Sequence, residues 1–185
     1  AVETWAVNPE PPSASEVYQC LTKLKRHCAP GPDELPPALF KDGGISLSQC
    51  LAHLFASIWE KESVPDNWGE SIVIPVFKKG TRSECDNHRG ISLTPVVTRL
   101  LASIILHRLT ATREAYTREQ QAGFRPGRGC IDHIFTLRQV LEQRHTYRRP
   151  TILVFLDFKG AFDSVDRSIL LKTLARQDMP QRFVN

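Results

Sequence analysis

The segment Phe155-Leu-Asp157-Phe-Lys-Gly-Ala-Phe162-Asp163-Ser-Val-Asp166 places a carboxylate directly after an apolar run, Thr151-Ile-Leu-Val-Phe-Leu156. A carboxylate at the end of a buried strand is costly unless a metal or hydrogen bonds compensate it. A strand in that position could hold Asp157 as a hard oxygen ligand for Mg²⁺ at the edge of a cleft. Asp157 could equally cap a turn into the next helix, and residue types alone leave both readings open. The spacing is not that of an EF-hand loop, which needs alternating Asp or Asn and a central Gly. Asp163 and Asp166 suit a turn and the N-terminal charge of a helix.

Positive charge is the second chemical feature, and it is unevenly spread. Residues 1–75 carry 5 Lys/Arg against 10 Asp/Glu, residues 76–150 carry 14 against 6, and residues 151–185 carry 5 against 4. Twelve of the fourteen central cations are Arg, the side chain whose planar fork suits bidentate phosphate contact. Any single one of them could be an ordinary solvated helix residue. A basic block beside an acidic one points to a polyanionic partner.

Other classes are excluded by what the chain lacks. Hydrophobic content of 41% and charged content of 24% are those of a globular protein rather than a disordered one. No apolar run reaches the ~20 residues of a membrane span, and no basic-then-apolar leader marks secretion, so an intracellular protein without a membrane partner is expected. Five scattered cysteines, Cys20, Cys28, Cys50, Cys85 and Cys130, contain no C-x-x-C pair, which argues for reduced thiols rather than disulfides or zinc. The chain has no initiator Met and is expected to be cut from something longer.

The elements that must position these groups follow from periodicity and punctuation. Ser13 and Glu16 form a capping-box pair, with Val17, Leu21, Leu24 and Cys28 on one helical face; Pro30-Gly31-Pro32-Asp33 stops that helix in a turn. A second helix opens at Ser46 and Gln49, with Leu47, Leu51, Leu54, Phe55 and Ile58 inward, and ends before Pro65. Ser71-Ile-Val-Ile-Pro-Val-Phe77 reads as a strand, with Pro75 indicating an edge or a bulge. A polar loop, a short strand at Arg89–Leu93 and a long helix begun by Thr94 and Pro95 come next, the last burying Val97, Leu100, Leu101, Ile104 and Leu109. Gln120–Gly129 is a Gly-, Pro- and Arg-rich loop, and helices are expected at about Cys130–Arg144 and Val165–Gln177. The apolar run 151–156 is expected to be a strand. Helices and strands mix without regular βαβ alternation, so the fold class is α+β.

Several of these strings together resemble reverse transcriptases of non-LTR, LINE-like retrotransposons. The Phe155–Asp166 segment is similar to their motif A. Asn87-His-Arg-Gly-Ile-Ser-Leu-Thr94 resembles an Asn-Tyr-Arg-Pro-Ile-Ser-Leu element, and Gln121-Ala-Gly-Phe-Arg-Pro-Gly-Arg128 a Gln-x-Gly-Phe-Arg loop. Ala29-Pro-Gly-Pro-Asp33, and Pro65-Asp-Asn-Trp68 through Phe77-Lys-Lys-Gly80, resemble the N-terminal extension and the first fingers strand. The five elements occur in order over roughly residues 16–180. The resemblance implies an incomplete right-hand polymerase: a mainly helical N-terminal extension over 1–70, fingers over 71–150, and the start of the palm over 151–185.

The same resemblance assigns roles by position. Asp157 would be the first of three aspartates holding two Mg²⁺ ions, with the backbone carbonyl of Phe158 a further ligand. Phe162 would pack under the sugar of the incoming nucleotide and exclude a 2′-hydroxyl. Lys78 or Lys79, with Arg89, would fold over the triphosphate, where fixed cations stabilise its charge. Arg125 would lie in the loop facing template and nucleotide, and Arg82, Arg128 and Arg138 would touch nucleic-acid backbone. An RNA template, a DNA primer and dNTPs are the implied partners, in nucleus and cytoplasm. His88 stands in place of Tyr, Gly90 in place of Pro, and Gly129-Cys130 in place of Ser-Thr, none of them a ligand position. No motif B or Tyr-Ala-Asp-Asp-like string occurs before Asn185, so the isolated chain is expected to be inactive.

Rival readings are a group II intron maturase, an RNA-dependent RNA polymerase, and a non-catalytic nucleic-acid-binding module or remnant of a decayed element. The Arg-Gly-Ile-Ser-Leu and Phe-Lys-Gly-Ala-Phe-Asp strings favour the LINE-like branch, and Phe162 disfavours a ribonucleotide substrate. Asp157 with Phe162 separates the polymerase from the binding module. The apolar helix faces carry no stray charges, which favours a recently functional sequence over a decayed one.

Overall fold

The computed structural model describes residues 5–184. Its first half is a helical body. Helix α1 spans Ala14–Lys23 and starts with the expected capping box: Glu16 N–H donates to Ser13 Oγ at 3.3 Å while Ser13 N–H donates to Glu16 Oε2 at 2.9 Å. It ends one turn earlier than its apolar spacing suggests, at C-cap Leu24, so Cys28 is exposed and Cys20 takes the inward place. Helix α2, Pro37–Asp42, was not legible in the sequence as a helix; Pro37 occupies its first turn, where a fixed φ and a missing N–H do no harm. Helix α3 runs Gly44–Lys61 and stops at Glu62 in the left-handed region (φ 51°), before Pro65 is reached.

Strands β1 (Ile72–Phe77) and β2 (His88–Leu93) form a two-stranded antiparallel hairpin, and α4 spans Val96–Tyr116. Helices α5 (Cys130–Thr146) and α6 (Arg167–Arg176) follow. Asp166 is the N-cap of α6, accepting from the N–H groups of Ser168 and Ile169. Those backbone bonds, that of Ile169 foremost, hold its carboxyl below the usual range. The chain is thus mixed helix and strand.

The core joins α1, α2, α3 and α4 around Val17, Leu21, Phe40, Phe55, Val96, Leu100 and Ile104. It therefore crosses position 70 and ties the long helix after the hairpin to the helices before it. Each fully buried Leu, Ile or Phe contributes about 1.5–3 kcal/mol of transfer free energy. Gly31 permits a close approach here: a Cβ on it would lie 2.5 Å from Pro95 N, so the Pro30–Asp33 turn seats against the start of α4. Arg108 of α4 closes the body from the other side. Its side chain, 5% exposed, donates to both carboxylate oxygens of Glu16 (2.7 and 2.8 Å) and to the carbonyls of Asn8, Glu10 and Pro11. The guanidinium also sits over the Trp59 ring at 5.5 Å.

Two further expectations are corrected: Leu54, expected inward on α3, is exposed, and the apolar run after Pro150 takes another form. Residues 151–156 are not a strand, and Ile152, Val154, Phe155 and Leu156 are exposed. A strand requires a neighbour for its N–H and C=O groups. Among the described residues β1 and β2 pair only with each other, so this apolar segment has nothing to pair with. The chain then returns to the body: Met179 and Val184 are buried, and Phe183 meets Trp59 edge to face at 5.3 Å.

Candidate nucleic-acid interface

The hairpin is exposed on both faces along nearly its whole length. Its register pairs Val76 with Arg89 and Phe77 with His88, and one further bond, Lys78 N–H to Asn87 O at 2.8 Å, extends the pairing past the strand ends. Directly opposed residues share a face and successive residues alternate. Lys78 therefore falls on the face of Val76 and Arg89, with Ile74 and Ile91. Lys79 lies one residue further, in the bend that leads into Gly80, and on the opposite face the Phe77 ring contacts His88 at 5.6 Å and lies under the Arg82 guanidinium at 5.1 Å. Among the described residues none of Lys78, Lys79 and Arg89 makes an ion pair.

The loop between the strands is ordered by Asn87. Its Nδ2 donates to Thr81 O at 2.9 Å and to Glu84 Oε2 at 3.0 Å. Gly80 has φ +89°, and a Cβ there would lie 2.7 Å from Asn87 Nδ2.

The arginines of the second loop are differently used. The Arg125 side chain is 6% exposed; its guanidinium binds Glu114 of α4 and donates to the carbonyls of Arg118 (2.9 Å) and Gln121 (3.1 Å). Arg113 donates to Phe124 O at 2.7 Å. Arg128 pairs with Glu119, and Arg138 with Glu142 at 2.7 Å along exposed α5. The loop is thus tied to the last turns of α4 by two guanidinium groups. Phe124 stands out of it at φ +60°, 80% exposed, and meets the Phe162 ring edge to face at 5.9 Å.

Asp157 and Phe158 lie in the exposed segment, and Phe162 is 78% exposed. Among the described residues no group of three or more His, Cys, Asp or Glu could hold a metal ion. Sequence reasoning named the cations and the aromatic of the site but missed Asn87 as a loop organiser, Glu114 as the partner of Arg125, and Phe124. Asn87 and Phe124 stood inside quoted motifs, whereas nothing in the spacing of Glu114 and Arg125 announces their pairing.

Residues 76–185 match the family described as reverse transcriptase (RNA-dependent DNA polymerase), and the chain belongs to that family. Its relatives are proteins of retrotransposable elements. It is 31% identical over 92% of its length to a 115 kDa protein in type-1 retrotransposable element R1DM of Drosophila melanogaster, covering 17% of that protein. It is 27% identical over 91% of its length to the RNA-directed DNA polymerase from mobile element jockey of the same species, covering 19%. Identity to the Pol polyprotein from type-1 retrotransposable element R2 of Popillia japonica is 27% over 89% of the chain, covering 22% of that relative. The chain thus spans about a fifth of the length of these relatives. The family generally uses divalent metal ions. No helix among the described residues is long and apolar enough to cross a membrane.

Proposed function

We propose that this chain supplies the fingers and the first palm segment of a LINE-like right-hand polymerase, which adds dNTPs to a DNA primer 3′-end on an RNA template. In this reading residues 1–70 are a helical extension, 71–150 the fingers and 151–185 the start of the palm, working in nucleus and cytoplasm. The observation that carries it is the hairpin: a ribbon exposed on both faces, whose cations make no ion pairs among the described residues and lie within the stretch that matches the family. Lys78 and Arg89, sharing a face, hold the triphosphate, with Lys79 in the bend and Arg82 on the opposite face as further cations. Arg125 acts on this site through the loop it organises. Arg128 and Arg138, on the loop and on exposed α5, lie where they can exchange a carboxylate partner for a nucleic-acid phosphate. Phe162 excludes the 2′-hydroxyl.

Asp157 contributes one carboxylate, and Phe158 one carbonyl, to a divalent-cation site read as two Mg²⁺ ions. The described residues alone do not complete such a site; Mg²⁺ takes octahedral oxygen coordination, and ions held close together need several carboxylates. The test is primer extension on an RNA template, with this chain and with a longer polymerase that contains it. Extension only by the longer protein, lost on Asp157→Ala, is expected, as is a raised rNTP/dNTP incorporation ratio in Phe162→Val. Activity of the 185-residue chain, or an unchanged ratio, would refute the corresponding assignment.

A further inference from the structure

The hairpin raises a physical problem. A two-stranded ribbon without a packed face is marginal by itself, and the long cationic side chains it carries lose rotamer entropy when they converge on a ligand. None of its residues belongs to the hydrophobic core cluster, so the body does not rigidify it by packing. Order must come from within the ribbon and its loop.

Asn87 is where that order converges. It stands opposite Lys78 and two positions before Arg89, so it neighbours both cations at the loop end of the ladder. Its backbone carbonyl accepts from Lys78 N–H at 2.8 Å, and its backbone N–H donates to Glu84 O at 3.2 Å. Its carboxamide donates inward to Thr81 O and Glu84 Oε2. The same Glu84 carbonyl is 3.0 Å from His88 Nδ1. Gly80 leaves the space that the carboxamide fills, at a backbone conformation unfavourable to other residues. An amide fits because both contacts are to oxygens, and a carboxylate at this position would face them with another acceptor.

We propose that Asn87 is a positioning residue: its carboxamide plugs the loop between the strands and fixes the register that presents Lys78 and Arg89 together to a triphosphate. It touches the loop rather than the ligand, and acts by lowering the ordering cost of capture. The proposal rests on the reading of Lys78 and Arg89 as triphosphate cations.

The experiment titrates the 185-residue chain with inorganic tripolyphosphate at low salt, following backbone amide shifts, with hydrogen exchange of the loop amides alongside. Asn87→Ala and Asn87→Asp should each weaken binding about three- to fivefold, the size of one exposed charge contact, and speed exchange at Lys78 and Glu84. The pair Glu84→Gln/Asn87→Asp, which restores a donor opposite an acceptor, should regain most of the loss and slow that exchange again. Thermal melting of the helical body should not move in any of them. Binding unchanged in both Asn87 variants, while Lys78→Ala and Arg89→Ala weaken it, would overturn the positioning role and leave the cation reading standing. Loss in Asn87→Asp alone, or recovery of binding without slower exchange, would be a charge effect and would equally overturn it. Wild-type binding by Lys78→Ala and Arg89→Ala would instead defeat the reading on which the proposal rests.

Discussion

In the helical body Arg108 directs its guanidinium at Glu16 and at three backbone carbonyls, and stacks over Trp59. In the hairpin Lys78, Lys79 and Arg89 make no ion pair among the described residues. Apolar side chains divide in the same way: Phe55 is fully buried, whereas Ile72, Val73, Ile74 and Val76 remain exposed. One region has used its hydrogen-bonding and apolar groups internally and the other has kept them available. A ligand can be stabilised only by groups whose partners the fold has not already supplied, so the contrast marks where binding is to be sought. The Gln120–Gly129 loop lies between the extremes, since its arginines are engaged and yet it projects Phe124 toward Phe162.

The largest expected effect tests this division through two phenylalanines of equal size. Phe55→Ala opens a cavity at the centre of the core and should cost about 3–5 kcal/mol in urea unfolding. Phe155 is 80% exposed, and Phe155→Ala should stay within about 0.5 kcal/mol of the parent. Comparable losses in both would mean that residues 151–158 are covered by the rest of the chain, and the contrast between the regions would dissolve.

The same pair of phenylalanines shows what was legible in the sequence. Helical periodicity identified Phe55, Leu51 and Ile58 as core because α1, α3 and α4 all lie within the chain and bury one another. The capping box at Ser13 and the long helix after Pro95 were readable for the same reason, being set by neighbours a few residues away. Thr151–Leu156 has an equally apolar composition, but strand formation depends on a partner that composition does not reveal. Of the site, the residue types at positions 78, 79, 89, 157 and 162 were visible in motifs. Their environments were not: Glu114 beneath Arg125 and Asn87 within the loop depend on three-dimensional placement rather than spacing.

An intermediate effect concerns acid. Hydrogen bonding to the Arg108 guanidinium, aided by Ser13 and opposed by burial, lowers the Glu16 carboxyl to about 2. Its folded value lies below its ordinary 4.5, so its stabilisation is fully present above that pH and is lost as pH falls toward 2. Melting of the 185-residue chain should therefore drop as pH falls from about 5 to about 2.5, the span of this titration. In Glu16→Gln that part of the drop should vanish, on a starting stability lower by about 1 kcal/mol, the scale of one lost charge contact, since glutamine still serves the capping box. An acid profile identical in the two proteins would show that Arg108 holds the body through the carbonyls of residues 8–11 alone.

The smallest effect is on binding and should leave folding untouched. Residues 76–150 carry an excess of cations, but the engaged arginines must release a carboxylate before they can reach a phosphate. Arg125, its side chain buried and held by Glu114 and two carbonyls, should contribute little to long-range attraction. The chain should bind an RNA–DNA hybrid weakly and without sequence preference, with affinity falling steeply as salt rises. Each hairpin cation that meets a phosphate adds about 0.9 to the slope of log affinity against log salt. Lys78→Ala, Lys79→Ala and Arg89→Ala should each reduce that slope by about this amount, whereas Arg138→Ala, whose cation is shared with Glu142, should reduce it by less. Equal reductions at all four positions would mean that surface pairing in the free protein does not decide which cations nucleic acid recruits. A slope unaffected by the three hairpin substitutions would move the electrostatic footprint off the ribbon, to the arginines of the second loop and α5.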